Sequence, residues 1–416
     1  MSNSQVSHLF EETGLRLVVI ISDGVRGHVN QSAGVASWLS KRTGAEVLEL
    51  EIPRLKGLRR FRVRRGAAKL ADGGRETALE WLAMAEGEST MKTLDHWFIE
   101  RYGHECGTRE KRGSSMIFIS AGSMPALYNL ALGRVWRCPC VTIMTPSVTG
   151  ATPFDFAIIP EHDYPRRAPN VMSTVGAPNL IVKDELRLAG KFLLREYPPK
   201  RGRRWGVLIG GDDKNYRVTA SWINEVVGEI FRTAERVDAD LYVTTSRRTQ
   251  PEAEEALKLM ASGRENVRFM LIASSDPLNP VPAMLGICDE IFVTEDSVNM
   301  VSETVTAGHR AVLLRTERSW GLQRALQTVA SMIASSGFLP LRALWGAPRF
   351  DLTFESFRKM GFLIDFRDWV RERRCGDVAP ICGLNDESER GGGFNEARRA
   401  ADWILSRLPG PISTYS

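Results

Sequence analysis

Apolar residues recur along this chain in short runs separated by longer stretches of mixed polarity, the rhythm of alternating strands and helices. The run at 15–21 is continuous, as in a strand buried on both faces of a parallel sheet. It leads through a polar loop, 22–28, into a helix holding Trp38 and Leu39, and then to a strand at 46–50. An insertion follows, about 53–115. Strands at 116–119, 140–144, 156–159 and 171–175 come next, with a helix over 124–132. A helix over 181–197 closes this half, and Pro198-Pro199-Lys200-Arg201-Gly202-Arg203-Arg204 reads as a linker, stiff at first and then charged.

The pattern restarts with strands at 205–209, 241–244 and 267–272 and helices over 218–236, 252–260 and 281–287. A strand at 291–293 then enters a polar loop and a short helix that ends at Gly308, before another strand at 311–314. An amphipathic helix over 394–408 is placed to cross back onto the first half. The expected class is α/β, with two Rossmann-like doubly wound parallel-sheet domains facing a cleft. The expected division is 1–197, a linker at 198–204, a second domain over 205–392, and a returning segment over 393–416.

Composition sets the surroundings. At 416 residues the chain exceeds what one core usually organises, and 43% apolar with 25% charged residues is an ordinary globular balance. The net charge of +5 is mild. Six cysteines contain no C-x-x-C pair, and Cys138-Pro139-Cys140 is too tight for a zinc knuckle, which fits a reducing, cytoplasmic setting. The first fourteen residues carry Glu11 and Glu12, unlike a signal or transit peptide, and no apolar run approaches the roughly 20 residues of a membrane span.

Candidate chemistry gathers after strands. In Val293-Thr294-Glu295-Asp296-Ser297-Val298-Asn299-Met300-Val301-Ser302-Glu303, a helix start offers unpaired amides to a phosphate. Asp296, Asn299 and Glu303 fall at helical spacing, so that Glu303 suits a ribose diol. The plainer reading is a turn in which Asp296 or Ser297 caps the helix. Gly210-Gly211 lets backbone amides approach an anion, Lys214 follows, and Ser246-Arg247-Arg248 sits after another strand. Thr294 and Ser297 complete this set, which suits a pyrophosphate and a ribose. Each also has a plainer reading: a glycine turn, a solvated lysine, a charged approach to a helix.

The first half offers Asp23 and His28, an acid and an imidazole in one loop, with His28 the better general base and Asp23 its orienting partner or alternative. Ser123 and His162, the latter beside Asp163, are acceptor-side candidates. Asp238-Ala239-Asp240 precedes its strand and reads as a solvated turn, so no metal and no cofactor are expected. The insertion carries Arg54-Leu55-Lys56-Gly57-Leu58-Arg59-Arg60-Phe61-Arg62-Val63-Arg64-Arg65, basic residues interleaved with apolar ones. A solvated loop is the plain reading. An anionic membrane surface is the preferred partner, through Arg59, Arg60, Arg64 and Arg65, ahead of nucleic acid.

The loop Ser22-Asp23-Gly24-Val25-Arg26-Gly27-His28-Val29-Asn30-Gln31 resembles the opening motif of the mitochondrial fission ELM family, which includes bacterial proteins regarded as glycosyltransferases. In order along the chain, Ile158-Ile159-Pro160-Glu161-His162-Asp163, Gly176-Ala177-Pro178-Asn179, Leu208-Ile209-Gly210-Gly211, Thr244-Thr245-Ser246-Arg247-Arg248 and Asn279-Pro280 are similar to further family motifs. More distantly, the layout is similar to the GT-B transferase that adds N-acetylglucosamine to lipid-linked peptidoglycan precursors. Asp212 and Asp213 depart from the pattern after Gly-Gly, as do the insertion and a second one near 347–382. The resemblance implies a GT-B glycosyltransferase that moves a sugar from a nucleotide to a lipid-linked or cell-envelope glycan without a metal, on the inner face of a membrane. The alternative it implies is a non-catalytic adaptor in organelle fission.

Overall fold

The computed structural model of the protein describes residues 14–103, 107–213, 215–318, 350–374 and 393–408. The chain divides into two compact units, Met1–Leu180 with Asn395–Ser416, and Ile181–Phe394.

The first unit is built on six parallel strands: β1 (Leu17–Ser22), β2 (Glu46–Glu51), β3 (Met116–Ala121), β4 (Cys140–Ile143), β5 (Phe156–Pro160) and β6 (Val171–Thr174). Their order is β2-β1-β3-β4-β5-β6. Alternate side chains of β1 and β3 enter different cores, so both faces are covered. Val18, Ile20, Ile117 and Ile119 pack with Val35 and Leu39 of the helix Arg26–Thr43 and with Ala400 and Ile404 of the helix Glu396–Leu405. Leu17, Val19 and Phe118 pack on the other face with Leu127, Leu130 and Trp136 of the helix Ser123–Trp136. The returning C-terminal helix is tied down twice. Asp402 accepts from Arg42 at 2.9 Å, and Glu396 accepts the Val175 amide at 2.8 Å.

The insertion is helical: Gly57–Asp72, Arg75–Met84, Glu88–Tyr102 and Arg109–Gly113. Val63, Ala67, Leu70, Trp81 and Leu82 extend the Trp136 core. The Trp81 indole donates to the Val63 carbonyl at 3.0 Å and meets Tyr128 edge-on at 5.1 Å. A buried indole with a partner for its N–H is a strong anchor, and here it fixes the first inserted helix to the second.

The second unit repeats the scheme with β7 (Arg203–Leu208), β8 (Tyr216–Arg217), β9 (Ala239–Thr244), β10 (Val267–Leu271), β11 (Glu290–Thr294), β12 (Ala311–Leu314), β13 (Glu317–Arg318) and β14 (Leu363–Asp365). Six of these form a parallel sheet in the order β10-β9-β7-β11-β12-β14, and β8 pairs with β13 antiparallel. Under this sheet Trp369 of the helix Phe366–Arg374 packs against Trp205 and Phe292 at 5.3 and 4.9 Å. The fold is thus the expected one, two Rossmann-like doubly wound sheets, and strand β14 in the second insertion is an addition that the sequence pattern missed.

The division differs from the expected one. The helix Lys183–Glu196, assigned from sequence to the first half, belongs to the second unit, where it packs on the helix Val281–Ile287. Gly190 and Gly286 make this approach. A Cβ on Gly286 would stand 2.1 Å from the Leu186 carbonyl oxygen, and one on Gly190 2.6 Å from Ile287. Residues 198–204 are not a free linker either. The amides of Lys200 and Arg201 donate to Asp240 at 2.6 and 2.9 Å, and β7 begins at Arg203. Asp240 is therefore buried, not part of a solvated turn.

Gly286→Ala should push the two helices apart and lower stability by about 1–3 kcal/mol, the range for inserting a methyl into a packed contact. Urea unfolding measures it, and an unchanged midpoint would mean that the contact is not tight.

Candidate functional site

In a parallel sheet every strand ends at the same edge, so the loops after β1, β3, β4 and β5 gather there without further design. After β1, Asp23 turns the chain. Its carboxylate accepts the Val25 amide at 3.1 Å, and Gly24 adopts φ 73°. The same carboxylate receives His28 Nδ1 at 3.1 Å, because the helix begins at Arg26 and sets His28 in its first turn. Pairing at Nδ1 fixes that nitrogen as the donor and leaves Nε2 as the basic nitrogen. Both side chains are partly exposed, 28% for His28 and 22% for Asp23.

The imidazole rests on the end of β3. Gly122 has φ 90°, and a Cβ there would lie 2.6 Å from His28 Cε1. Glycine at 122 is thus needed twice, for its backbone angle and for the ring above it. The next residue, Ser123, opens the helix Ser123–Trp136. Its hydroxyl accepts the Ser147 amide at 3.0 Å and is hydrogen-bonded to the Ser147 hydroxyl at 2.5 Å, joining the loops after β3 and β4. Asp163 joins the loop after β5 by accepting the Thr145 amide at 2.9 Å. His162 does not fill the expected acceptor-side place: it is buried, and burial lowers its pKa against the pull of Asp163 and Glu161.

The second unit gathers the ends of β7, β9 and β11. Thr294 accepts the Gly210 amide at 2.7 Å, and Asp296 accepts the Gly211 amide at 3.0 Å. These amides are already satisfied, which corrects the expectation that they cradle a phosphate. The glycines are there for room: a Cβ on Gly210 would lie 1.9 Å from an Asp296 oxygen, and one on Gly211 2.2 Å from the Arg248 backbone. The Arg248 guanidinium closes the arrangement on Asp296 at 2.7 Å. Burial raises the Asp296 pKa, opposed by the Gly211 amide and by Arg248.

Asp296 therefore precedes the helix Val298–Ala307 and points back toward β7, off the face on which the sequence pattern placed it. Ser297 is the N-cap, its hydroxyl accepting the Met300 amide at 3.4 Å. The partly exposed stripe of that helix is Asn299, Met300 and Glu303, at helical spacing. Ser246 serves its own turn by accepting the Arg248 amide at 3.2 Å. Arg247, by contrast, is exposed and unpaired among the described residues. Asp212 and Asp213 accept the amides of Val218 and Tyr216 at 2.8 and 2.9 Å, so these two acids hold their own loop. Lys214 lies outside the described residues.

Glu303, half-buried, stands apart from the acids around it. Among the described residues no hydrogen bond or ion pair reaches its carboxyl, and burial alone pushes its pKa up to about 7. Asp296, Glu290 and Glu295 all have partners. A carboxyl kept partly buried without compensation costs stability, and such groups collect at functional sites.

Gly122, Ser147 and Arg248 were not selected from sequence. The glycine at a strand end was a usable signal; the choice of Arg248 over Arg247 as the Asp296 partner was not, since neighbours in sequence differ only in where the turn points them.

Fold and sites together define a two-domain Rossmann-like α/β protein whose polar loops collect at the carboxyl edge of each sheet. The chain belongs to the mitochondrial fission ELM1 family, whose model matches residues 26–408. His28, Arg247 and Glu303 lie inside the match, and Asp23 lies just before it. No curated protein matches in sequence. Among solved structures the chain is similar to S. aureus MnaA with UDP (11% identity, TM-score 0.44, 95% of this chain and 96% of that one). It is also similar to the Neisseria meningitidis UDP-GlcNAc 2-epimerase with UDP-GlcNAc (11%, 0.43, 94% and 98%). A third likeness is an E. coli structure described as trehalose-6-phosphate bound with UDP-2-fluoro glucose (10%, 0.44, 94% and 98%). Likeness at these values says nothing of chemistry.

The raised pKa of Glu303 gives a signed prediction. An acid whose folded pKa lies above its unfolded value of 4.5 weakens the fold as pH rises through that interval. Glu303→Gln should match wild type below pH 4.5 and exceed it above pH 7, by at most about 3 kcal/mol. Melting curves at pH 4.5 and 8 test this, and a pH-independent difference would show the carboxyl to be compensated.

Proposed function

We propose that the protein is a glycosyltransferase that takes a sugar from a nucleotide and delivers it to a hydroxyl of a lipid-linked or envelope glycan, without a metal. The observation that carries this reading is the Asp23–His28 pair, an oriented imidazole with a free Nε2 seated on Gly122 at the carboxyl edge of a sheet. An adaptor has no use for an oriented base. In the reaction, His28 Nε2 takes the acceptor proton while the acceptor oxygen bonds to the anomeric carbon. The bond from that carbon to the phosphate oxygen breaks, and its electron pair leaves with the nucleotide. Asp23 holds the tautomer and steadies the imidazolium.

The second unit holds the nucleotide. Glu303 accepts the ribose hydroxyls, which supply the missing partners and favour its charged form. The start of the helix Val298–Ala307 and the unpaired Arg247 take the phosphate charge that grows as the bond breaks. Thr294, Asp296, Gly210 and Gly211 shape this edge from beneath, and Ser246 holds the turn that presents Arg247. The family's description names mitochondrial fission, and it favours one other reading, which we take as a non-catalytic adaptor.

A thermal-shift panel of nucleoside diphosphates and CMP identifies the nucleotide by stabilisation of the folded state. Glu303→Ala should abolish that shift, and an equal shift in both proteins would remove Glu303 from the site. His28→Ala should keep nucleotide binding and lose at least about a hundredfold in turnover. If instead turnover falls little while Asp23→Asn is inactive, Asp23 is the base. If neither change matters in a working transfer assay, the loop is not catalytic; if no transfer occurs with any nucleotide sugar, the adaptor reading stands.

Gly122→Ala tests the seat itself. The added methyl must displace the ring from Asp23, so turnover should fall at least about tenfold, as misplacing a reacting group does. The nucleotide shift should stay at its wild-type size. Full activity would show that the ring position is not used.

A further inference from the structure

The first inserted helix, Gly57–Asp72, has one face accounted for and one that is not. Val63, Ala67 and Leu70 are fully buried against the core of the first unit. On the opposite side, positions 58, 61 and 65 share a face by helical spacing. There Leu58 is 78% and Phe61 62% exposed, among the most open large apolar side chains of the described residues. Around them Arg60, Arg62, Arg64 and Arg65 are all exposed, and among the described residues none of their guanidinium groups has an ion pair or hydrogen bond. The unpaired set is narrower than the sequence suggested. Arg59 is engaged with Glu86 and with the Met84 carbonyl at 3.3 Å, and Arg54 pairs with Glu51 at 3.2 Å. The helix carries a single acid, Asp72, at its far end.

We propose that this face docks the first unit on an anionic lipid bilayer, with Leu58 and Phe61 entering the headgroup boundary and the four arginines against lipid phosphates. Among the described residues no helix is long and apolar enough to cross a membrane, so attachment here is to the surface. Charge complementarity selects the anionic headgroups, and two large apolar side chains at the centre of the cationic field select a bilayer over a nucleic acid, whose backbone offers them nothing. The position serves the reaction. The helix starts a few residues after β2, at the sheet edge that carries Asp23 and His28, and the Arg54–Glu51 pair lies against Gly24 of that loop, a Cβ there being 3.1 Å from the guanidinium. A lipid-borne acceptor would then be held next to the base. Docking needs no nucleotide, so it stands or falls apart from the transfer reading.

The test is flotation of the full chain with vesicles of phosphatidylcholine alone and of phosphatidylcholine mixed with phosphatidylglycerol. Binding should require the anionic lipid and weaken as salt screens the charges. Replacing Arg60, Arg62, Arg64 and Arg65 together by Ser should lower it by at least a hundredfold, since each cation near such a surface contributes roughly fivefold. Leu58→Ser with Phe61→Ser should lower it by about tenfold or more while sparing the salt dependence. Both variants should keep the wild-type melting temperature and the nucleotide-induced shift. Should the quadruple variant melt early, the single Arg65→Glu, a change of two unit charges, gives the same reading at about twenty-five-fold. Equal binding to both kinds of vesicle, or no effect of these substitutions, overturns the proposal. So does tighter binding to an oligonucleotide than to the anionic vesicles.

Discussion

Asp296 accepts the Gly211 amide and the Arg248 guanidinium while lying flat against Gly210, and in doing so it joins the ends of β7, β9 and β11. A buried carboxylate is tolerable only with such partners, and removing one of them would leave a charge stranded. Much follows from this arrangement. Gly210 and Gly211 must stay glycine, Arg248 is committed to the buried carboxylate although it is itself exposed, and Ser297 is left to cap the helix Val298–Ala307. That helix then presents Asn299, Met300 and Glu303 on its open side. The two neighbouring arginines part company for the same reason: Arg248 belongs to the scaffold and Arg247 to the surface.

Three acids of the second unit show how differently burial is met. Glu290 is closed off by Trp369 and by Arg373, whose guanidinium stacks over the Trp369 ring at 4.9 Å. Glu295 takes Arg315 and the Thr316 amide at 2.8 and 2.9 Å. Both act as bolts between elements, one at each end of β11. Among the described residues Glu303 has nothing comparable, and its carboxyl is pushed up to about 7.

In the first unit the insertion does two things with one helix. Its inner side completes the core beside Trp136, so the helix is held rigidly by Val63, Ala67 and the Trp81 indole. Rigid support is what allows the outer side to display Leu58, Phe61 and free arginines without collapsing onto them, because side chains on a packed helix cannot turn inward.

The sequence by itself determined the class of fold and most of its elements. Buried parallel strands write themselves as continuous apolar runs, and these marked both sheets from 15–21 to 311–314 within a few residues. It also determined that Asp23 and His28 share a loop and that Asn299 and Glu303 share a helical face, since both are matters of spacing along one segment. Three things required the tertiary structure. The helix Lys183–Glu196 went to the second unit because Gly190 and Gly286 admit close contact there, a fact about two segments far apart in sequence. The Gly210 and Gly211 amides were satisfied by Thr294 and Asp296, which no local pattern of the glycine loop announces. His28 found its seat on Gly122, and His162 its burial, through strands that adjoin only in the folded sheet. Local periodicity reports what each segment buries; which partner meets each exposed donor or acceptor is decided when distant strand ends are brought to one edge.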